Sequence, residues 1–387
     1  MQNIAIAGAG LVGSLLSIYL RKRGYAVTVF ERRSDMRRKG AETGRSINLA
    51  LSNRGIRALE EVGLAGELKK VAIPMHGRMM HDKQGNLSSF AYGKEGQFIN
   101  SVSRSGLNIV LMNEAERLGV EFLFDQRVTK VDVERTSLEV TSSRLPVTSY
   151  QSPVTGNRQP ATSNQFDYII GADGAFSAVR SAFQFTDRFD YAQDYIDHGY
   201  KELHIPPGVG GSFQLERNCL HIWPRESFMM IALPNPDGSF TCTLFFPFEG
   251  NPSFNTLKAQ KEVEIFFKET FPDAQCLMPT LLKDFKSNPT SSLVTVKCYP
   301  WVRNKTLLIG DAAHGIVPFY GQGMNAGFED CRILNDLLNQ HRDNWDIALP
   351  EFQKLRKPDT DAIAQLALDN FIEMRDLVAD ADFLLRK

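Results

Sequence analysis

The 387-residue sequence lacks the cysteine patterns of disulfide-bonded and metal-binding proteins. Its cysteines are isolated from one another, with no CxxC and no cysteine–histidine pairing at the spacing of metal ligands. They are Cys219, Cys242, Cys276, Cys298 and Cys331. We therefore expect buried, reduced thiols, no bound metal and a reducing compartment, the cytoplasm.

The sequence also has no uninterrupted apolar run of about 18 residues, which is the length that crosses a bilayer. Lysine plus arginine (44) nearly balances aspartate plus glutamate (45), so no basic excess favours nucleic acid as a partner. The basic cluster at residues 32–39 is interpreted as a solvated loop. These absences leave an ordinary soluble globular protein of about two domains, without a membrane or nucleic-acid partner.

What the sequence does contain is glycine concentrated in three motifs. The first of them begins at Gly8. An apolar run at residues 3–7 predicts a buried strand, and Gly8-Ala9-Gly10-Leu11-Val12-Gly13 then leads into a helical pattern. Such glycines permit a tight turn, the close approach of a pyrophosphate and tight helix packing. A second predicted strand ends at Glu31, about 20 residues further on, where the fingerprint expects the ligand of a ribose hydroxyl. The unit therefore predicts a dinucleotide site.

The other two motifs also follow predicted strands. They are Gly171-Ala172-Asp173-Gly174 and Gly310-Asp311. The carboxylates of Asp173 and Asp311 are candidates to accept hydrogen bonds from ribityl hydroxyls. A glycine-rich stretch then opens a helix near Met324, and the positive end of that helix would favour a reduced, anionic flavin. Three such motifs in this order predict a fold built around one FAD.

Two further positions carry candidate ligand contacts. Residues 72–92 predict a hairpin, and a turn centred near Gln84 would point Arg78 and Tyr92 to one face. Asn370 lies on an apolar stripe at helical spacing, where a hydrophobic residue would be expected. A buried amide needs partners, so Asn370 makes either a helix–helix hydrogen bond or a ligand contact. The stripe consists of Ile363, Leu366, Ala367, Phe371, Met374 and Val378. Two histidines without ligand-spaced partners, His204 and His221, are interpreted as core or edge residues. His314, beside Asp311, is interpreted as structural in preference to a catalytic base.

After residue 195, short aromatic-rich strands predict an antiparallel sheet. We therefore predict an α/β fold in which an FAD-binding, Rossmann-like parallel-sheet domain is interleaved with an antiparallel β-sheet substrate domain, followed by C-terminal helices. The predicted FAD-binding domain comprises residues 1–70, 100–182 and 299–345, the substrate domain residues 71–99 and 183–298, and the C-terminal helical segment residues 346–387.

Together, the three glycine motifs resemble those of group A single-component flavoprotein monooxygenases, which share the fold of para-hydroxybenzoate hydroxylase. The resemblance covers almost the whole chain. Longer runs are more specific and are similar to the kynurenine 3-monooxygenase family. These runs are residues 44–50, 220–225, 228–234, 318–330 and 370–375.

The resemblance implies FAD-dependent, NADPH-consuming hydroxylation of L-kynurenine to 3-hydroxy-L-kynurenine with O2, in tryptophan degradation. It implies that a flavin C4a-hydroperoxide attacks the ring carbon ortho to the aniline nitrogen, so no residue is named as an obligatory acid or base. NADPH and its transient visit are likewise implied by the resemblance. They fit the remaining glycine cluster, residues 208–211, which lacks the helix and the downstream acid of a second dinucleotide site. Two alternatives stay open: a hydroxylase of another anthranilate-like or phenolic acid, and a non-catalytic flavin-binding protein.

The resemblance also implies roles for individual residues. Arg78 and Tyr92 would hold the substrate carboxylate, Asn370 would contact the substrate, and Pro318, Phe319 and Gln322 would border the pocket beside the flavin ring. The implied FAD contacts are Gly8, Gly10, Val12, Gly13, Glu31, Arg33, Ala50, Arg104, Val128, Asp173, Asp311, Met324 and Asn325. Related chains continue beyond the position of Lys387 with helices that close the pocket. We therefore expect weaker substrate binding and incomplete coupling in a chain that ends there.

Overall fold

The computed structural model describes residues 1–38, 48–94, 96–142 and 162–373. Its strands are β1 Asn3–Ala7, β2 Ala26–Phe30, β3 Asn48–Leu51, β4 Ala72–Met75, β5 Gly77–His81, β6 Leu87–Ala91, β7 Ile99–Ser103, β8 Glu121–Leu123, β9 Gln126–Asp132, β10 Ser137–Ser142, β11 Thr162–Gln165, β12 Tyr168–Gly171, β13 Asp190–Ile205, β14 Cys219–Arg225, β15 Phe228–Pro234, β16 Phe240–Pro247, β17 Ser291–Tyr299, β18 Val302–Arg303 and β19 Thr306–Leu308. Its helices are α1 Leu11–Lys22, α2 Asn53–Glu61, α3 Ala65–Val71, α4 Arg104–Arg117, α5 Ala178–Phe183, α6 Gln260–Thr270, α7 Pro272–Gln275, α8 Leu281–Ser287, α9 Asp311–His314, α10 Gly323–Gln340 and α11 Trp345–Ile372.

The glycine motifs follow strands of one six-stranded sheet, ordered β18-β19-β12-β1-β2-β8. Its strands are parallel except for the antiparallel pair β18–β19. β1, β12 and β19 are apolar and almost wholly buried, as expected for parallel strands that are covered on both faces. Because parallel strands end at the same edge, all three motif loops meet beyond the carboxyl ends of β1, β12 and β19.

The second large sheet has seven strands in the order β17-β13-β16-β15-β14-β5-β6. Its pairs are antiparallel apart from β14 with β5. Side chains on its back face, such as Trp223, Met230 and Leu244, pack with α6–α8 in one apolar core. The front face carries Ile222, Met229 and Phe245, which pack against Phe319 and Phe371. The front face is thus covered by the segment before α10 and by the end of α11.

The predicted hairpin forms, but it is shorter than residues 72–92. β5 and β6 pair from Gly77 with Ala91 to His81 with Leu87, so the turn is centred on Gln84 as expected. β4 instead pairs with β7 in a separate three-stranded sheet with β3. Between α2 and α3, Gly63 adopts a left-handed φ of 88°, which separates the two helices.

The apolar stripe predicted around Asn370 is narrower than expected. On α11, Ile363, Ala367 and Phe371 are buried, whereas Leu366 is 47% exposed. The last two members of the predicted stripe, Met374 and Val378, lie outside the described residues. Over the parts of the chain that the structure describes, no helix is both long enough and apolar enough to span a membrane.

Candidate active site

A cavity of roughly 690 Å³ joins the two large sheets. At one end it is lined by the glycine-motif loops, and at the other by the front face of the seven-stranded sheet. Most of the residues singled out from the sequence border it. They are Gly8, Gly10, Val12, Glu31, Arg33, Ala50, Arg78, Tyr92, Arg104, Val128, Asp173, Asp311, Pro318, Phe319, Gln322, Met324 and Asn370. Gly13 and Asn325 are not among its lining residues.

The first two motif loops are held together by close backbone contacts. Gly8 has a φ of 101°, and a Cβ there would lie 2.6 Å from the carbonyl oxygen of Ala172. A Cβ on Gly13 would lie only 2.0 Å from the carbonyl oxygen of Gly8. Gly13 therefore permits α1 to pack against the turn, and it serves the cavity only indirectly. Gly10 borders the cavity, and a Cβ there would meet nothing within 4 Å.

Glu31 lies at the end of β2 with its carboxylate beside the first glycine turn. One oxygen accepts from the backbone N–H of Ala9 at 3.0 Å, and the other accepts from the backbone N–H and Nε of Arg33 at 2.9 and 3.0 Å. Glu31 is buried, whereas Arg33 is exposed. An ionised carboxylate can accept several hydrogen bonds, so this position suits a donor such as a ribose hydroxyl.

Asp173 carries the most informative polar atom at this end of the cavity. Its Oδ2 accepts from the backbone N–H of Ala178 at 2.7 Å, but its buried Oδ1 has no hydrogen-bond partner within the described structure. Burial raises the pKa of this carboxyl, although hydrogen bonds from Ser177 and the α5 backbone oppose the increase. Asp311, at the start of α9, is exposed and borders the same cavity. An unsatisfied buried acceptor beside a second carboxylate fits a ligand that is rich in hydroxyl groups.

Asn325 shapes the cavity wall from behind. Its fully buried side chain donates to the carbonyl oxygens of Ala50 and Gly321 at 2.8 and 2.9 Å, and it accepts from the backbone N–H of Ser52 at 2.9 Å. It thereby links α10 to the end of β3. Gly327, further along α10, permits close approach to Val12, since a Cβ there would lie 2.6 Å from Val12 Cγ2.

At the other end of the cavity, Arg78 and Tyr92 point to the same side of the hairpin, as predicted from their parity. The Arg78 guanidinium carbon lies 5.3 Å from the centre of the Tyr92 ring. Within the described residues Arg78 forms no ion pair, and the buried Tyr92 hydroxyl has no hydrogen-bond partner. Burial raises the pKa of Tyr92, and the charge and the nearby N–H donors of Arg78 only partly oppose this. A phenol with a buried hydroxyl beside a cation suits an anionic ligand.

Asn370 is fixed to the segment that precedes α10. Its Nδ2 donates to the carbonyl oxygen of Phe319 at 2.5 Å. The Phe319 ring stacks on Phe371 with 4.2 Å between centroids and contacts Phe245 at 4.9 Å. The amide thus forms the inter-element hydrogen bond considered above and also borders the cavity.

Sequence reasoning missed the wall formed by the central strands. This wall is made of alternate residues on strands β13–β16, which a period-two pattern could have assigned to one face. They are Tyr200, Leu220, Met229, Ile231, Leu233, Thr243 and Phe245. Two of the histidines form buried hydrogen bonds consistent with a structural role: His314 with Asp330 and His221 with His81.

Similarity to known proteins agrees with this geometry. Residues 1–345 match the FAD binding domain family. The kynurenine 3-monooxygenase of Christiangramia forsetii is 48% identical over 387 residues, which is all of this chain and 83% of that protein. The chain belongs to the kynurenine 3-monooxygenase family. A second kynurenine 3-monooxygenase, from Myxococcus xanthus, is 50% identical over 389 residues, covering all of this chain and 81% of that protein.

A solved structure supports the fold assignment of this kynurenine 3-monooxygenase family member. A Klebsiella pneumoniae HpxO variant complexed with FAD superposes with a TM-score of 0.76 at 18% identity, covering 100% of this chain and 93% of that protein. This superposition confirms the predicted α/β fold. The match of residues 1–345 to the FAD binding domain family confirms the prediction of FAD as cofactor. The division into domains and the roles of individual residues remain predictions.

Proposed function

We propose that this protein hydroxylates ring carbon 3 of L-kynurenine. L-kynurenine, O2, NADPH and a proton would give 3-hydroxy-L-kynurenine, NADP+ and water. The observation that carries the proposal is the cavity itself, in which the Arg78–Tyr92 pair and the glycine-motif loops border one space in a chain of this family.

Arg78 and Tyr92 are the proposed ligands of the substrate carboxylate. A guanidinium offers two parallel N–H donors that match the two oxygens of a carboxylate. The Tyr92 hydroxyl adds a neutral donor, and burial favours its protonated form by raising its pKa. A bound carboxylate would also satisfy a hydroxyl that is otherwise buried without a partner.

At the other end, we propose that FAD is held by the motif loops. Glu31 would accept from the ribose, Asp173 and Asp311 from the ribityl chain, and the N-terminus of α10 would face the flavin pyrimidine with its positive end. Bound FAD, once reduced by NADPH, supplies the activation of O2. We assign this role to the six-stranded sheet and its loops, and substrate binding to the seven-stranded sheet.

The remaining task of the pocket is to orient the substrate and exclude water. Phe245 and Phe319 line the cavity as packed aromatic rings, and Phe371 stacks on Phe319. Asn370, fixed beside them, is the proposed polar contact to the substrate. The aniline nitrogen of kynurenine donates electrons to the ortho ring carbon, so the substrate provides its own activation. Correct placement of that carbon is therefore the main contribution of the protein, and no side chain is assigned as an acid or base.

We also propose that the protein acts in the cytoplasm on this small molecule. All of its cysteines are free thiols, and four of the five are buried. Unpaired thiols are typical of proteins from a reducing compartment.

The decisive test is NADPH oxidation by the purified yellow protein with and without L-kynurenine under 18O2. Kynurenine-stimulated oxidation, with a product heavier by one 18O atom, would establish the hydroxylase. Stimulated oxidation that yields only H2O2 would mean that the substrate binds without coupling. If kynurenine does not stimulate oxidation while para-hydroxybenzoate or anthranilate does, the substrate assignment is wrong.

A further inference from the structure

A chain of buried polar groups crosses the back of the substrate hairpin. The carboxylate of Asp273, on α7, lies 2.6 Å from Nδ1 of His81, at the end of β5. Nε2 of His81 lies 2.9 Å from Nδ1 of His221, on β14, and Nε2 of His221 lies 2.8 Å from the carbonyl oxygen of Glu216. Both imidazoles are only 1% exposed. Four groups in a row are therefore connected by three hydrogen bonds.

These contacts determine where the protons lie. A carbonyl oxygen only accepts, so Nε2 of His221 must carry a proton. Burial lowers the pKa of His221 to about 4, so this ring is neutral near pH 7 and its Nδ1 accepts. The proton between the rings then belongs to Nε2 of His81, whose Nδ1 also donates to Asp273. The two rings therefore share three protons and one positive charge.

Other charged groups surround the pair. Burial raises the pKa of Asp273, but hydrogen bonds from His81 and Trp223 outweigh this and leave it below its usual range. The carboxylate is therefore ionised and balances the charge of the pair. Arg225, on β14, donates to the carbonyl oxygens of His81 at the end of β5 and of Asp82 in the hairpin turn, both at 3.0 Å. The acidic side chains of Asp82 and Glu216 complete the charged surroundings.

The position of these four hydrogen-bonded groups in the sheet indicates which strand they stabilise. Arg78 lies on β5, which is next to the edge of the sheet, and every residue of the outer strand β6 is exposed. β5 pairs with β14 only from Gly77 to Met80, so His81 is the first residue beyond the ladder. Arg78 points to the cavity, whereas His81, three residues later, points to the back. The hydrogen bonds through His81 hold β5 to β14 just beyond the point where the pairing of these two strands ends, while His81 still pairs with Leu87 of β6.

We propose that Asp273, His81 and His221 are positioning residues for the substrate carboxylate site, acting through β5 on Arg78. Asp273 balances the positive charge of the pair, so the carboxylate and both rings hold β5 as one hydrogen-bonded unit. Without the proton between the rings, two nitrogen lone pairs would face each other across this contact, repel and loosen β5. This inference rests on the proposed function, because it assigns the carboxylate of kynurenine to Arg78.

The first test is independent of activity. In the FAD-bound wild-type protein with 15N-labelled histidine, both ring nitrogens of His81 and Nε2 of His221 should give protonated signals near neutral pH. Asp273→Asn removes the balancing charge, so the third proton should leave at a lower pH than in wild type. A pair of neutral rings in the wild-type protein would overturn the proposal.

The second test separates positioning from general stability. The longer amide of His81→Gln can still hydrogen-bond to His221, and the shorter amide of His81→Asn can still hydrogen-bond to Asp273. Each variant therefore keeps one of the two hydrogen bonds of His81. We expect both to raise KM for L-kynurenine about tenfold or more, with kcat changed far less, because small displacements of a binding group weaken binding strongly. The KM of Asp273→Asn should begin to rise at a lower pH than that of wild type.

The matched control is His341→Gln. His341 pairs with Glu351 at 2.7 Å, away from the cavity, so its loss should leave KM unchanged. If all variants keep the wild-type KM and its pH dependence, the positioning role is wrong. If L-kynurenine does not stimulate NADPH oxidation by the wild-type protein, the proposed function is wrong instead. The NMR result would still decide the protonation state of His81 and His221.

Discussion

Arg356 and Asp330 form an ion pair in which neither side chain has any exposed surface, with 2.7 Å between Nε and Oδ1. The other oxygen of Asp330 contacts Nε2 of His314 at 2.5 Å and accepts from the backbone N–H of Gly310 at 3.2 Å. One buried carboxylate therefore links α11 to the third glycine motif. Since α11 also carries Asn370, this pair connects the proposed substrate contact to the proposed flavin site.

Asp330→Asn should destabilise the protein and weaken FAD retention together. Breaking a buried ion pair typically costs about 3–5 kcal/mol. Arg356 keeps Glu329 at 2.9 Å and Asp359 at 3.3 Å, so we expect a loss at the lower end of this range. The free energy of unfolding and FAD release should be measured in urea by flavin fluorescence. Asp336→Asn, which breaks an exposed pair with Arg332 on the same helix, is the control and should change stability by no more than about 0.5 kcal/mol.

The same carboxylate predicts a loss of stability in acid. Burial raises the pKa of Asp330, but the charges of His314 and Arg356 outweigh burial and leave it below the ordinary value of 3.8. Its contribution is therefore full above pH 3.8 and declines as the pH falls toward the lower folded value. The free energy of unfolding, measured between pH 6 and pH 3, should show this decline in the wild-type protein. The part of the decline that comes from Asp330 should be missing in Asp330→Asn.

Gly10→Ala and Gly13→Ala should separate cofactor binding from folding. A methyl group at Gly13 would meet the carbonyl oxygen of Gly8, so this variant should misfold. A methyl group at Gly10 would enter open space beside the cavity, and the φ of −74° there suits alanine. We expect Gly10→Ala to fold as stably as wild type, measured by thermal unfolding of the apoprotein, yet to bind FAD weakly. Normal FAD affinity would show that no phosphate approaches Gly10.

Arg78→Lys should lower kcat/KM for L-kynurenine less than Arg78→Met, because lysine retains the charge but not the paired donors. Losing charge-assisted hydrogen bonds worth about 1.5–3 kcal/mol corresponds to a decrease of roughly 10- to 150-fold for Arg78→Met. The control substrate is the decarboxylated analogue of kynurenine. Its turnover should be nearly the same in wild type and Arg78→Met. An equal decrease for both substrates would contradict carboxylate binding by Arg78.

Tyr92→Phe should weaken substrate binding without destabilising the substrate-free protein. The hydroxyl is buried and unpartnered among the described residues, so its removal eliminates a desolvation penalty. We expect an unfolding temperature equal to or above that of wild type and a KM about five- to tenfold higher, as for one lost hydrogen bond of about 1–1.5 kcal/mol. A lower unfolding temperature would mean that the hydroxyl has a structural partner.

Local signals predicted much of this protein. Strand, turn and helix patterns located the glycine motifs, and residue parity placed Arg78 and Tyr92 on one face of the hairpin, as the pairing register bears out. They could not distinguish Gly10, which borders the cavity, from Gly13, which packs against the turn, because both satisfy the same spacing. They also overestimated the apolar stripe at Leu366, since periodicity does not reveal how much of a helix its neighbours cover.

By itself, the sequence determined the class of fold, the cofactor and the residue types available for binding, because these depend on short-range patterns of glycine, charge and apolar residues. Only the tertiary structure decided which side chains share a cavity and which buried groups depend on one another. The contact between His81 and Asp273 joins residues 192 positions apart, and that between Arg356 and Asp330 joins two helices. Such pairings arise from packing between distant segments, which local sequence periodicity does not encode.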